Sequence, residues 1–425
     1  MRGKYFLCAL ALALPATVDG QATPRPKTDS AARADSIARA DSIALVREIE
    51  RMQPPATTGD TAGVVGPRQP GVINSRLLPD ISVVGDFIAD LSPKRSTQED
   101  GSRLGVREIE VAFQAAIDPY FRGDVFLGIS DEEGIAIEQA FLTATDLPGQ
   151  LEARFGRFLM PIGKQVTTHR HDLHTIEYPY VIQNFFGPEG IKGTGLYLGR
   201  VFAPLGFYQE LILTAVDRIA EADESLVVEE PANRRLSGLG YSARLRNYFD
   251  LTQAANLEVS FSGMTGEREQ PMIPAVPQPG SEEEINAYNQ RQTVIAADFT
   301  YRWRPLQQAL YKSFILQAEV MQQRNPDVMI PEQLGPTGDR VGGYVFTRYQ
   351  ISRRGFLGAR YDFVDGDGED GKTKAASGYY QFFPSEFSKL LAGYERFMPG
   401  GGAKGLNRFI LQATFALGPH KPHPF

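Results

Sequence analysis

The sequence predicts an all-β fold, a transmembrane barrel of about sixteen antiparallel strands behind a short N-terminal helical arm and linker. Three observations predict it. From Asp80 onward, apolar and polar residues alternate with a period of two over segments of about ten residues, the length of a tilted membrane-spanning strand. The connections between these segments alternate between long and short. The chain also opens with an export signal.

Composition removes the competing classes. With 44 Lys+Arg against 51 Asp+Glu spread along 425 residues, the net charge of −7 does not suit a nucleic-acid partner. After the first twenty residues nothing approaches the run of ~20 apolar residues that a spanning helix needs. One cysteine excludes a disulfide-stapled fold.

Residues 1–20 carry Arg2 and Lys4, then an apolar stretch from Tyr5 to Val18, then small residues, the layout of a secretory signal peptide. Its removal takes away Cys8, the only cysteine. Residues 21–52 form a polar arm of helical preference, with Ala34–Arg39 and Ala40–Leu45 as near repeats and no Pro or Gly from Asp29 to Met52. Its apolar positions Ile37, Ile43, Val46 and Ile49 do not keep a strict coiled-coil repeat. Residues 53–79, rich in Pro, Gly and Thr, read as a flexible linker, and residues 80–425 as the barrel.

Within the barrel, Ile109, Val111, Phe113, Ala115 and Ile117 share one face, and Glu108, Glu110 and Gln114 the other. The same split recurs in Leu257, Val259, Phe261 against Glu258, Ser260, Ser262. It recurs again in Leu316, Ala318, Val320 against Gln317, Glu319, and in Phe409, Leu411, Ala413, Phe415 against Gln412, Thr414. Strands are expected to begin near Asp80, Arg103, Tyr120, Gly134, Gln150, Ile191, Gly206 and Leu236, then near Thr252, Arg291, Lys312, Arg340, Phe356, Ala376, Ser388 and Leu406. Long connections, including 161–190 and 266–290, alternate with tight turns such as Asp118-Pro119 and Leu147-Pro148-Gly149. Long loops outside, short turns in the periplasm and an even strand count place both termini in the periplasm of a Gram-negative-type bacterium. Trp303 and Tyr301, alternating with Arg302 and Arg304, suit an aromatic belt at that membrane boundary.

Arginine on the lipid face costs ~2–4 kcal/mol at the midplane, so charged strand positions should line a water-filled lumen. They are Glu108, Glu110, Arg154, Arg244, Arg246, Glu258, Arg302, Glu319, Arg360 and Asp362, and their mixed signs predict weak ion selectivity. The third external connection, 161–190, is the longest, and it holds Tyr178, Tyr180, Val181, Ile182, Phe185 and Phe186. Apolar groups in such a loop need a surface to pack on, so the loop is expected to fold inward and narrow the lumen.

The run Gly156-Arg157-Phe158-Leu159-Met160-Pro161-Ile162-Gly163, followed by a long loop and a Gly-rich strand over Gly190–Leu198, resembles the phosphate-selective porin O and P family. The resemblance implies a sixteen-stranded outer-membrane porin, embedded in lipid and assembled as a homotrimer, through which small hydrophilic solutes or ions diffuse passively. No ladder of arginines like that of the phosphate-binding members can be matched in this sequence.

All five histidines fall in two clusters, His169, His171 and His174 in the long loop and His420 and His423 in the C-terminal tail. Alternate residues share a side in extended chain and residues three apart share a helical face, so the loop histidines could converge on one Zn²⁺, with Asp172 or Glu177 adding a carboxylate. The tail pair is a second, weaker candidate. No other cofactor is required. Three other readings compete with the channel. A TonB-linked receptor needs a folded plug and about twenty-two strands. An enzyme would use the loop histidines with Asp172, but no Ser or Cys nucleophile stands at a recognisable spacing. A structural envelope barrel would be tethered by the N-terminal arm.

Overall fold

The computed structural model describes residues 79–98, 101–130, 134–219, 236–272, 286–324, 339–365, 371–402 and 404–418. The expected signal peptide, arm and all of the linker but Pro79 lie outside the described residues, as do His420 and His423.

Sixteen strands form one closed antiparallel barrel. The first eight are β1 (Asp80–Asp90), β2 (Leu104–Ala116), β3 (Phe121–Ser130), β4 (Gly134–Leu147), β5 (Leu151–Leu159), β6 (Lys192–Phe202), β7 (Tyr208–Val216) and β8 (Gly240–Thr252). The second eight are β9 (Ala255–Met272), β10 (Asn286–Trp303), β11 (Phe314–Arg324), β12 (Arg340–Gln350), β13 (Gly355–Asp365), β14 (Lys372–Ser385), β15 (Ser388–Met398) and β16 (Leu406–Leu417). Each strand pairs with its sequence neighbours, and β1 closes the ring on β16 with Val83 opposite Leu417 and Asp90 opposite Ile410. Closure satisfies every strand edge, which an open sheet in lipid could not do.

The alternation read from the sequence is the inside–outside alternation of the wall. Phe113, Phe261, Val320, Leu411 and Phe415 are exposed on the outer face, while Glu110, Glu258, Ser260, Glu319, Gln412 and Thr414 are buried inside. Apolar outside and polar inside inverts the arrangement of a water-soluble protein and is what a lipid-facing barrel requires. β1 starts and β16 ends at the rim that carries the short turns, the rim that also holds the Phe207–Phe249 and Tyr301–Phe314 ring pairs, with Trp303 opposite Phe314.

Strand ends depart from expectation where pairing continues past the alternating sequence. The connection expected over 266–290 is partly strand, because β9 runs to Met272 and β10 begins at Asn286. Similarly, β14 begins at Lys372 rather than Ala376. The start expected at Leu236 is a single 3₁₀ turn, Leu236–Gly238, and β8 begins at Gly240.

Two irregularities matter inside the barrel. In β2, Glu108 pairs with Asp86 but Val106 pairs with Phe87, leaving Arg107 as the extra residue of a β-bulge. In β4, Gln139 pairs with Phe126 but Ile137 pairs with Leu127, leaving Glu138 as the extra residue. A bulge sets two consecutive side chains toward one side of the sheet and reverses the parity beyond it.

Candidate functional site

The connection between β5 and β6, residues 160–191, is held against the inner wall. Its neck closes with Met160 N donating to Ile191 O at 3.0 Å. Within it lies one short helix, α1 (Tyr180–Phe186), entered through Pro179 and ended at Gly187 with φ 99°. The helix buries Val181, Ile182 and Phe185 against β12 and β13. With Met160, Ile162, Val166, Leu173 and Tyr178, these side chains join Val216, Met264, Val294, Met321, Tyr344, Phe346 and Val364 of the wall in a single apolar cluster. Removing this much apolar surface from water is the main force holding the loop in place.

Two glycines permit the close approach. Gly163, at φ +62°, lies against Glu319 so tightly that a Cβ would overlap the carboxylate. Gly342 on β12 leaves room for Val181, whose Cγ2 would be 2.7 Å from a Cβ added there.

Polar anchors surround the apolar seal. Gly163 N donates to Ser262 Oγ at 2.9 Å, and Arg244 donates to Gly163 O while pairing with Asp298 at 3.1 Å. Lys164 N donates to Glu319 at 2.9 Å, and Lys164 Nζ reaches Glu258 at 2.7 Å. Arg246 and Arg302 meet the same Glu258 at 3.3 and 3.2 Å. Farther round, Arg360 pairs with Asp362 at 2.7 Å and donates to Thr175 Oγ1 at 2.9 Å and Glu177 O at 2.7 Å. Asp362 accepts from Tyr180 N at 3.1 Å. Lys389 Nζ donates to His171 O at 2.5 Å and to Leu173 O at 3.2 Å, tying the loop backbone to β15.

On the opposite flank the loop is not packed tight. A cavity of about 460 Å³ is lined by Arg170, Glu177, Gln183 and Glu189 of the loop and by Arg107 and Glu108 of β2, Glu138 of β4 and Arg408 of β16. Its charges are segregated. Glu177 receives Arg170 at 2.8 Å and Arg107 at 3.2 Å. Burial alone would raise the Glu177 carboxyl, but these two guanidinium groups outweigh it and hold the group down at about 2. Arg107 is also paired with Asp86, and Arg408 with Glu395 at 3.1 Å. A second group places Glu138 and Glu189 on Lys192 at 2.5 and 2.7 Å, with Glu108 adjacent.

Of the ten strand charges expected inside, Glu110, Arg244, Glu258, Glu319, Arg360 and Asp362 are buried, and all six touch loop atoms directly, at Gly163, Lys164, His169, Thr175 or Tyr180. Glu319 also takes part in the closest approach, under Gly163. Arg154, Arg246 and Arg302 are about one-third exposed, and Arg154 pairs with Glu152 at 2.7 Å while lying over the Tyr197 ring at 4.6 Å. Glu108 borders the cavity.

The three loop histidines separate. His169 Nδ1 lies 2.6 Å and His171 Nδ1 3.9 Å from one oxygen of Glu110 on β2. His174 Nδ1 instead bonds Arg348 at 2.9 Å. The carboxylate beside the histidine pair is Glu110. Glu177 is committed to Arg170 and Arg107, and Asp172 stands on the far side of His171, 3.7 Å from Nε2. Burial opposes a charge on His169, but Glu110 outweighs it and lifts the imidazole to about 9; burial lowers His171. Sequence reasoning missed Asp86, Arg348, Lys389 and Arg408, although the alternation of their strands points each of them inward. It also missed Gln139, which shares the inward parity of Thr143, and Arg107 and Glu138, which the bulges turn inward against that alternation.

No family model matches the sequence. An uncharacterized protein of Aquifex aeolicus (strain VF5) is 26% identical over 342 residues, spanning 74% of this chain and 69% of that protein. Among solved structures, the outer membrane channel DcaP of Acinetobacter baumannii superposes with a TM-score of 0.52 at 11% identity, covering 80% of this chain and 96% of its own. OprB of Pseudomonas putida gives 0.51 at 10% identity, covering 80% and 94%. These likenesses do not single out the phosphate-selective family; what they establish is that the chain has the sixteen-stranded fold of outer-membrane porins.

Proposed function

We propose that this protein is an outer-membrane channel for passive diffusion of small hydrophilic solutes or ions, and that residues 161–190 constrict its lumen. The observation that carries the reading is the asymmetric seat of the loop. It is sealed to one side of the inner wall by an apolar cluster and meets the other side through ion pairs that border a charged cavity of about 460 Å³. Water and solute would pass between the Arg107, Arg170, Arg408 group and the Glu108, Glu138, Glu189 group. Facing charges of opposite sign orient a dipolar solute and favour neither ion strongly, in keeping with a weakly selective pore. Strand charges buried beneath the loop would then position the constriction, while Glu108 and the loop charges line it.

Outer-membrane lipid around the apolar outer face, periplasmic termini and a homotrimer complete the proposal. A plugged structural barrel is the reading that the same tightly seated loop also favours. Single-channel recording in planar bilayers decides between them. The purified barrel should give stepwise, roughly ohmic currents with a small reversal potential in a salt gradient. A folded barrel without conductance would refute the channel and leave the structural role.

A further inference from the structure

His169 and His171 come from the loop and Glu110 from β2, 59 positions away in sequence at its nearest. The fold nevertheless brings one donor atom of each within 4.8 Å of the others. One oxygen of Glu110 faces Nδ1 of both rings, at 2.6 and 3.9 Å, and the rings themselves stand 5.5 Å apart, centre to centre. We propose that Glu110, His169 and His171 form a site for a divalent transition-metal ion of the Zn²⁺ class, which clips the third loop to the barrel wall.

The chemistry selects the metal class. Two imidazoles and one carboxylate suit Zn²⁺, Co²⁺ or Ni²⁺, whereas Mg²⁺ and Ca²⁺ prefer all-oxygen sets. Donors around a tetrahedral Zn²⁺ stand roughly 3.3–3.5 Å apart, given bonds of about 2.0–2.2 Å. The His169 distance must open and the His171 distance must close, each by less than about 1 Å, a change within reach of side-chain rotation. Groups that orient ligating imidazoles are already in place. Asp172 lies 3.7 Å from His171 Nε2, and the Gln139 amide lies 2.7 Å from His169 Nε2. A metal at His169 Nδ1 displaces the proton shared with Glu110 into solvent and leaves the ring proton on Nε2; Gln139 then accepts a hydrogen bond from it by turning its amide over, which gives up the 3.2 Å bond from Leu159 N. A water entering beside the partly exposed His169 would supply the fourth ligand.

The site needs the seat of the loop but no passage of solute, so its failure is separable from failure of the channel. The test uses the full chain refolded in detergent micelles, titrated with Co²⁺ by visible absorption and competed with Zn²⁺. One Co²⁺ per barrel should bind with a tetrahedral spectrum. His169→Ala, His171→Ala and Glu110→Gln should each weaken it at least about tenfold, while His174→Ala and the His420→Ala/His423→Ala double variant keep wild-type affinity. Heat-modifiable migration on SDS gels verifies that each variant is a folded barrel. Absence of Co²⁺ binding by the folded wild type, wild-type affinity in folded His171→Ala, or loss confined to the tail variant would overturn the proposal.

Discussion

The two flanks of the third loop meet the same barrel in opposite ways. Toward β9–β13 the contact is dry: Ile162, Val181, Ile182 and Phe185 are buried against Met264, Val294, Met321, Phe346 and Val364. Toward β2–β4 it is charged and borders a cavity lined by Arg107, Glu108, Glu138, Arg170 and Arg408, while toward β14–β16 a smaller apolar contact of Ile176 with Tyr379, Leu391 and Ile410 adjoins it. The difference teaches a division of labour. Apolar packing fixes where the loop sits, and charge sets what can pass on the side left open.

The largest effect should come from breaking the dry flank. Ile182→Asp buries a carboxylate with no counter-charge supplied for it, a cost on the order of 4–7 kcal/mol if its pKa must rise by the 3–5 units typical of buried acids. The loop should leave its seat, which would raise single-channel conductance and open residues 161–190 to protease. Next is Arg360→Ala, which leaves Asp362 buried without its partner and costs about 3–5 kcal/mol. The same two measurements should move in the same direction, by less.

Acid gives a smaller effect on the charged flank. The Glu177 carboxyl is depressed from its ordinary 4.5 to about 2, so its ionised form stabilises the loop fully above about pH 4.5. That contribution, about 3 kcal/mol at most, is lost as pH falls through 2. Current fluctuations should therefore grow between pH 4.5 and 2, and Glu177→Gln should be noisy at neutral pH and lose the pH dependence. Smallest is Glu108→Gln, which touches only the lining. Its cation-to-anion permeability ratio, read from reversal potentials, should fall by less than about twofold, because the half-buried Glu108 shares that side of the cavity with Glu138 and Glu189, which remain.

What the sequence revealed follows from which forces are local. Alternation along one strand is a local property, and it predicted the faces of β2, β9, β11 and β16 as they are found. It also predicted an inward loop, because Val181, Ile182 and Phe185 had no other surface to cover. Where a ladder of backbone bonds outlasts the membrane, as in β9 to Met272, no side-chain pattern marks it. The bulges defeat parity altogether: Arg107 and Glu138 occupy positions that a strict period of two would send toward lipid. The histidines illustrate the same limit. Local spacing grouped His169, His171 and His174, but the register of β2 supplied Glu110, and β12 took His174 through Arg348.

Thiol modification during single-channel recording tests the central claim, that the water path follows the charged flank. In a Cys8→Ala background, Ala136→Cys borders the cavity and Ser260→Cys lies fully buried on the dry flank. A charged methanethiosulfonate reagent should step down the current of Ala136→Cys and leave that of Ser260→Cys unchanged. Block at Ser260→Cys with none at Ala136→Cys would place the path on the other side of the loop and contradict the account.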